Sequence, residues 1–353
     1  MGYSAPYDDE DEGDGESFLP NAKSNAPKIP MNSALDRSIS MKSWLYGNQN
    51  EILSSIKTIS HYTTLRTFVS IVGSGEFWLS HISRMNDFEE VVAAARIVNN
   101  QINENERASN GVYIDYWNRI RIRYNDLIDN TYENMYLMSF SETNIELEMI
   151  DILSMWVKYG GNGTGITMLF NRENILLPYE TNDPLIWIRM NYRHISDFSY
   201  HIIDRIQRAI VEFGIVNQSV EIDKTRALNE RDELFIERMS WTLFVETISH
   251  KHVGYIDEKE YRLVFSPFLR PRLHDSVVIV DRKFGDDERK IARIKLEEYP
   301  TIRSKSIALK DILYAIMLGP TCLSSYDSVR RILDMHGLNR VKILHSSIPY
   351  RNT

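Results

Sequence analysis

Short apolar runs bounded by polar or glycine-rich turns alternate along this chain with segments of helical periodicity, which restricts it to folds built from both strands and helices. Phe77-Trp78-Leu79-Ser80, Met135 to Ser141, Gly165 to Phe170, Pro184 to about residue 194 and Glu258 to Phe265 read as strands, as do Val277 to Val280, Ala315 to Gly319 and Val341 to Leu344. Leu65 to Val72 predicts a helix stopped at Gly73 and Gly75, with Thr63 or Thr64 placed to cap it. Residues 112–133, Leu153 to Tyr159 and Ser325 to Leu338 are further helices, the last implying a parallel βαβ unit at the C-terminal end. A longer helical region, about 197–250, aligns Phe235, Met239, Leu243, Val245 and Ile248 and reads as an insertion or lid. The expected fold class is α+β: a bent, mixed β-sheet with helices on its outside.

Residues 1–40 are different in kind. They combine few large apolar side chains with Asp8, Asp9, Glu10, Asp11, Glu12, Asp14 and Glu16, and cannot bury enough surface to offset their ordering entropy. These residues are expected to form a disordered acidic tail ahead of a single α+β domain over 41–353. The run carries seven of the negative charges in a net of -8, so the remainder stands at -8 + 7 = -1. That near-neutral balance argues against a globally basic nucleic-acid surface, and Arg119, Arg121 and Arg123 read as a solvated face. From Ser43, Trp44, Leu45 and Tyr46 with Ile52, Ile56 and Ile59 suggest a lead-in helix, and Asp87 with Glu90 has capping-box spacing before Val91. A single cysteine, Cys322, excludes an internal disulfide and a cysteine-based zinc cluster, and fits a reducing compartment, by default the cytoplasm. No run approaches the roughly 18 apolar residues of a membrane span, so neither a membrane partner nor a metal is expected.

The common catalytic signatures are missing: there is no dinucleotide or Walker loop, no His-Glu-x-x-His and no Gly-x-Ser-x-Gly. Gly160-Gly161-Asn162-Gly163-Thr164-Gly165 precedes a strand and reads as a tight turn rather than a phosphate cradle. More informative are Glu258 and Glu260, which a strand would place about 7 Å apart on one face together with Arg262. Like charges so placed repel unless the face is wet or functional; a solvent-exposed edge is the plain alternative, with a Glu258–Arg262 salt bridge. Ser139 and Ser141 likewise share a strand face.

Taken in order, His61-Tyr62-Thr63, Phe77-Trp78-Leu79-Ser80, Met85-Asn86-Asp87 with Glu89, Ser139-Phe140-Ser141 and Met155-Trp156 with Tyr159 and Gly165 form a pattern. It continues through Glu258-Lys259-Glu260-Tyr261-Arg262, Ile316 to Pro320 and Ser346-Ser347-Ile348-Pro349-Tyr350-Arg351. The pattern is similar to a bacterial family catalogued as domain of unknown function 2971, over about residues 58–351. The order His-Tyr-Thr, Ser-x-Ser, Glu-x-Glu also resembles the site of ADP-ribosyltransferases, where three strands frame a nicotinamide pocket. Two departures stand out, the Phe within Ser139-Phe140-Ser141 and the long 197–250 region between the second and third motifs.

This second resemblance implies an ADP-ribosyltransferase-like core with a helical insertion and NAD as the substrate. Breaking the nicotinamide–ribose bond passes through an oxocarbenium-like state, which a carboxylate stabilises. By the resemblance Glu260 takes that role, Glu258 is the general base for the acceptor, His61 bonds the ribose and Ser139 positions Glu260. Tyr62 or Trp156 offers an aromatic face to nicotinamide, and Thr63, Ser141 and Arg262 complete the NAD-binding set. The expected function is mono-ADP-ribosyl transfer to a protein or nucleic-acid acceptor, in a toxin or phage-defence effector with an inhibitor or antitoxin partner. The alternatives are NAD hydrolysis in the same pocket, or a non-catalytic sensor module that binds a nucleotide or partner.

Overall fold

A computed structural model describes residues 58–85, 88–109, 112–143, 151–171, 185–212, 230–267, 277–284, 287–298 and 308–350. The acidic tail, the part of the lead-in helix before Ile59 and the Asp87 cap lie outside the described residues. Ile59 itself stands in a strand, not a helix.

The chain opens with β1 (Thr58–Thr63), α1 (Leu65–Ser74) and β2 (Glu76–His81), followed by α2 (Phe88–Ala108), α3 (Val112–Asn134) and β3 (Tyr136–Thr143). Thr64 caps α1 by accepting from the Thr67 amide, and Gly75 ends it at φ 65°, a left-handed conformation that glycine adopts without steric cost. Next come α4 (Leu153–Lys158), β4 (Ile166–Asn171), β5 (Leu185–Arg189), β6 (Asn191–Arg193), α5 (Ile195–Glu212) and α6 (Glu230–Ser249). The last third holds β7 (His250–His252), β8 (Glu260–Phe265), the β9 (Val277–Phe284) and β10 (Asp287–Lys295) hairpin, α7 (Leu309–Ile312), β11 (Leu313–Leu318), α8 (Tyr326–Met335) and β12 (Lys342–His345).

The fold is α+β, with a mixed ten-stranded sheet in the order β12-β11-β4-β1-β3-β2-β10-β9, and β8 joining β3 to β5. Within this sheet pairing among the described residues is antiparallel except for β11 with β12, the parallel pair expected around α8, and β6 and β7 form a separate parallel pair. β3 is the fork of the sheet. β8 pairs along it from Tyr136 to Ser141, whereas β1 meets it only from Ser141 to Thr143 and β2 only at Tyr136 and Leu137. Between β1 and β2, the backbone of Ser139 therefore has no strand partner on that side.

Side-chain alternation gives the sheet two faces. Ile59, Met138, Phe140, Tyr261 and Leu263 pack on one face with Phe68, Ile71 and Val72 of α1 and Val329 and Leu333 of α8. On the other, Leu137, Val264, Ile186 and Ile188 pack beneath α2, α3, α5 and α6. Further along this second face, Tyr62, Leu169, Ala315 and Met317 are covered by Met155 and Trp156 of α4. The described residues of the expected 197–250 region lie in α5 and α6, apart from His250 at the start of β7; these helices pack against each other and against α2, with α6 also against α3. Helix α6 buries Phe235, Ile236, Met239, Trp241, Leu243, Phe244 and Ile248, more than one side of its surface, as a helix central to a layer does. Its buried hydroxyls are satisfied locally: Ser240 donates to the Ile236 carbonyl and Thr247 to the Leu243 carbonyl. No helix among the described residues is long and apolar enough to cross a membrane.

Candidate functional site

The Glu258-Lys259-Glu260 segment departs from a simple strand. Glu258 ends a 3-10 turn, Val253–Glu258, Lys259 follows at φ 41° in the left-handed region, and β8 begins only at Glu260. Alternation along one strand thus does not relate the two glutamates, contrary to the spacing argument. Neither is an exposed edge residue, for both are buried.

They converge because a buried cation stands between them. Lys251 Nζ, from β7, lies 2.6 Å from Glu258 Oε2 and 2.6 Å from Glu260 Oε2. Arg262 adds a two-pronged contact to Glu260, Nε to Oε1 at 2.9 Å and a terminal nitrogen to Oε2 at 3.1 Å. The remaining Glu258 oxygen accepts from Lys158 Nζ at 3.1 Å and the Tyr159 hydroxyl at 3.0 Å. Arg262 therefore pairs with Glu260, not with Glu258 as the sequence suggested. Tyr192, of β6, closes the cluster by accepting from the Glu260 amide at 2.6 Å. Burial alone would raise the Glu260 carboxyl, but the charges and hydrogen bonds of Arg262 and Lys251 outweigh it and bring the pKa down to about 2. Burial, then Glu258, pushes the Tyr159 hydroxyl well above its ordinary range, so it is a donor at neutral pH.

Register across the fork decides which other expected residues join this cluster. Ser60 stands opposite Ser141, and Ser141 opposite Glu260, so these three side chains share a face across β1, β3 and β8. Ser139 is on the same face but opposite Arg262, and among the described residues its buried hydroxyl has no hydrogen-bond partner. His61 follows Ser60 and so leaves β1 toward the other face, where its ring lies 5.7 Å from that of Phe140. The expected convergence of His61 with Glu260 in one cleft is not found. His61 instead closes the fork: its Nδ1 bonds the Ser139 carbonyl at 2.9 Å, the group that neither β1 nor β2 reaches. With a carbonyl as acceptor the ring must donate from Nδ1, and burial lowers its pKa so that the ring is neutral.

Two expected aromatic faces are also committed elsewhere. Tyr62 and Trp156 meet edge to face at 5.0 Å inside the core, and the Trp156 indole donates to Asp151 at 2.7 Å. Thr63 is buried at the end of β1, where its carbonyl abuts Gly165. A Cβ on Gly165 would come within 2.2 Å of that carbonyl, which is why Gly160 to Gly165 is a packed turn. Other aromatic groups line the cluster: the Tyr159 hydroxyl bonds Glu258, the Tyr192 hydroxyl accepts from the Glu260 amide, and the Tyr255 ring lies 4.3 Å from Lys158 Nζ and 5.3 Å from Lys251 Nζ. Reading the sequence missed Lys251, Lys158, Tyr192 and Tyr255. The only hint was the need of two neighbouring carboxylates for a cation. Among the described residues no cluster of His, Cys, Asp and Glu suits a metal ion.

The family described as protein of unknown function (DUF2971) matches residues 155–263, a stretch that holds Trp156, Lys158, Tyr159, Tyr192, Lys251, Glu258, Glu260 and Arg262. No curated protein and no solved structure matches the chain.

Proposed function

We propose that the cluster around Glu260 is an NAD site of the ADP-ribosyltransferase kind, with a different set of neighbours from those the sequence suggested. The observation that carries this reading is the row Ser60, Ser141, Glu260, which runs across three adjacent strands bearing the three motifs. Glu260 is ionised at any physiological pH, so it suits charge stabilisation rather than proton transfer. In the reaction the bond between the ribose anomeric carbon and nicotinamide breaks, its electron pair leaving with the nicotinamide nitrogen. Glu260 faces the positive charge left on the sugar, and an acceptor nucleophile or water bonds to the anomeric carbon and gives up its proton to solvent. Ser141 and Ser60 take the positioning role, and His61 is a structural residue that closes the fork.

A second reading has its own support. Both Glu260 oxygens are held by Arg262 and Lys251, and its side chain is buried, an arrangement that suits a nucleotide-binding sensor without turnover. Incubation with labelled NAD separates the two. The catalytic reading predicts nicotinamide release that falls at least about 100-fold in Glu260→Gln and less than about tenfold in His61→Asn. Saturable NAD binding without release would establish the sensor reading, and absence of binding would refute both.

A further inference from the structure

We infer that Lys158 Nζ, the Tyr159 hydroxyl and Lys251 Nζ form a binding site for a phosphate-type anion, which the Glu258 carboxylate occupies as a displaceable internal ligand. The donors are fixed. Lys158 and Tyr159 lie two and three residues after Trp156, which is fully buried, and Lys251 is itself 3% exposed within β7. Together they place three donors on one carboxylate, at 3.1, 3.0 and 2.6 Å. That is the donor set a phosphoryl group takes, and Tyr159 keeps its proton for the purpose.

The Glu258 end is built differently. It terminates the 3-10 turn Val253–Glu258, in which Gly254, Ile256 and Asp257 are exposed; the Lys259 amide closes the turn with a 3.2 Å bond to the Ile256 carbonyl, and the Lys259 carbonyl, just outside it, accepts from the Glu142 amide at 2.9 Å. Lys259 holds φ 41°, a conformation disfavoured for a residue with a Cβ. Swinging the turn outward relaxes Lys259 and uncovers the donors, while Glu260 keeps its separate pairing to Arg262. Lys158, with a side chain 40% exposed, marks the solvent entrance.

Charge identifies the ligand class. Lys158, Lys251 and Arg262 face Glu258 and Glu260, and with Glu258 withdrawn three cations face one carboxylate. That surplus of two matches the two negative charges of a dinucleotide pyrophosphate. The inference rests on the NAD reading for the identity of the natural ligand alone; the anion site can be tested without it.

Inorganic pyrophosphate is the probe, titrated calorimetrically into the full chain at low salt. Glu258→Gln should bind it at least about tenfold more tightly than the unsubstituted protein, and Lys158→Met added to Glu258→Gln should abolish the gain. In the unsubstituted protein, pyrophosphate should accelerate amide exchange at Lys259 as the turn opens. The idea is overturned if Glu258→Gln binds within twofold of the unsubstituted protein, or if its gain survives Lys158→Met. Should Glu258→Gln fail to fold, amide exchange decides, and an unchanged rate at Lys259 overturns it. Tighter pyrophosphate binding with no NAD binding would keep the anion site and sink the NAD reading, whereas NAD binding without the pyrophosphate gain would do the reverse.

Discussion

Replacing Lys251 by Met tests the cluster at its centre. The substitution keeps most of the side-chain volume and removes a charge that lies 2.6 Å from each of two buried carboxylates. Removing one partner of a buried ion pair costs about 3–5 kcal/mol, because the other is left uncompensated. Here each carboxylate retains support, Glu260 from Arg262 and Glu258 from Lys158 and Tyr159, which argues for the lower end. The expected loss is about 3 kcal/mol, or a Tm lowered by about 6–12 °C at about 2–4 °C per kcal/mol for a domain of this size. Urea and thermal unfolding of Lys251→Met measure it directly. Adding Glu258→Gln removes a negative charge to match, and should restore a substantial part of the loss. A cost below about 1 kcal/mol, or a double variant no more stable than the single one, would show that the pairs behave as solvent-exposed contacts and would refute this reasoning.

Glu260 also sets an acid limit: its carboxyl falls from 4.5 to about 2 on folding, so its stabilisation is complete above about pH 4.5 and is lost as pH drops toward 2. Unfolding measured across that window should show a slope that Glu260→Gln flattens. His250 acts at milder pH, because burial, Arg193 and His252 depress it to about 4 from 6.5. The unfolded chain therefore binds the extra proton first, stability declines as pH falls from 6.5 to 4, and His250→Gln should remove that decline. Gly165→Ala places a Cβ 2.2 Å from the Thr63 carbonyl and 2.8 Å from that of Gly160, both backbone atoms. It should cost about 3 kcal/mol or more, read by denaturant titration, and a variant of ordinary stability would contradict the packing described for this turn.

Much of the fold was legible because periodicity reports it locally. The strands at Phe77, Met138, Met168 and Ile316, the helix over 112–134 and the parallel C-terminal pair follow from alternation and helical spacing. The sequence also shows the shared face of Ser139 and Ser141, since β3 is regular there. Where the backbone leaves a regular path the inference failed. Lys259 in the left-handed region breaks the alternation that would tie Glu258 to Glu260, and Met190 divides what read as one strand into β5 and β6. β10 was missed because Asp287 to Lys290 is charged throughout, which hides a strand. His61 was placed with Glu260 by motif order, whereas the register of β1 against β3 and β4 turns it away. Lys251 carries no local signal at all; only its place in β7, paired with β6, and its bonds to Glu258 and Glu260 give it a role.

Crystals grown with NAD would test the central claim most directly. The account predicts the nicotinamide ribose on the sheet face that carries Ser60 and Ser141, within about 4 Å of the Glu260 carboxylate, at the separation expected of a charge-stabilising contact. Dinucleotide bound beside His61 on the opposite face, or none bound at saturating concentration, would contradict it.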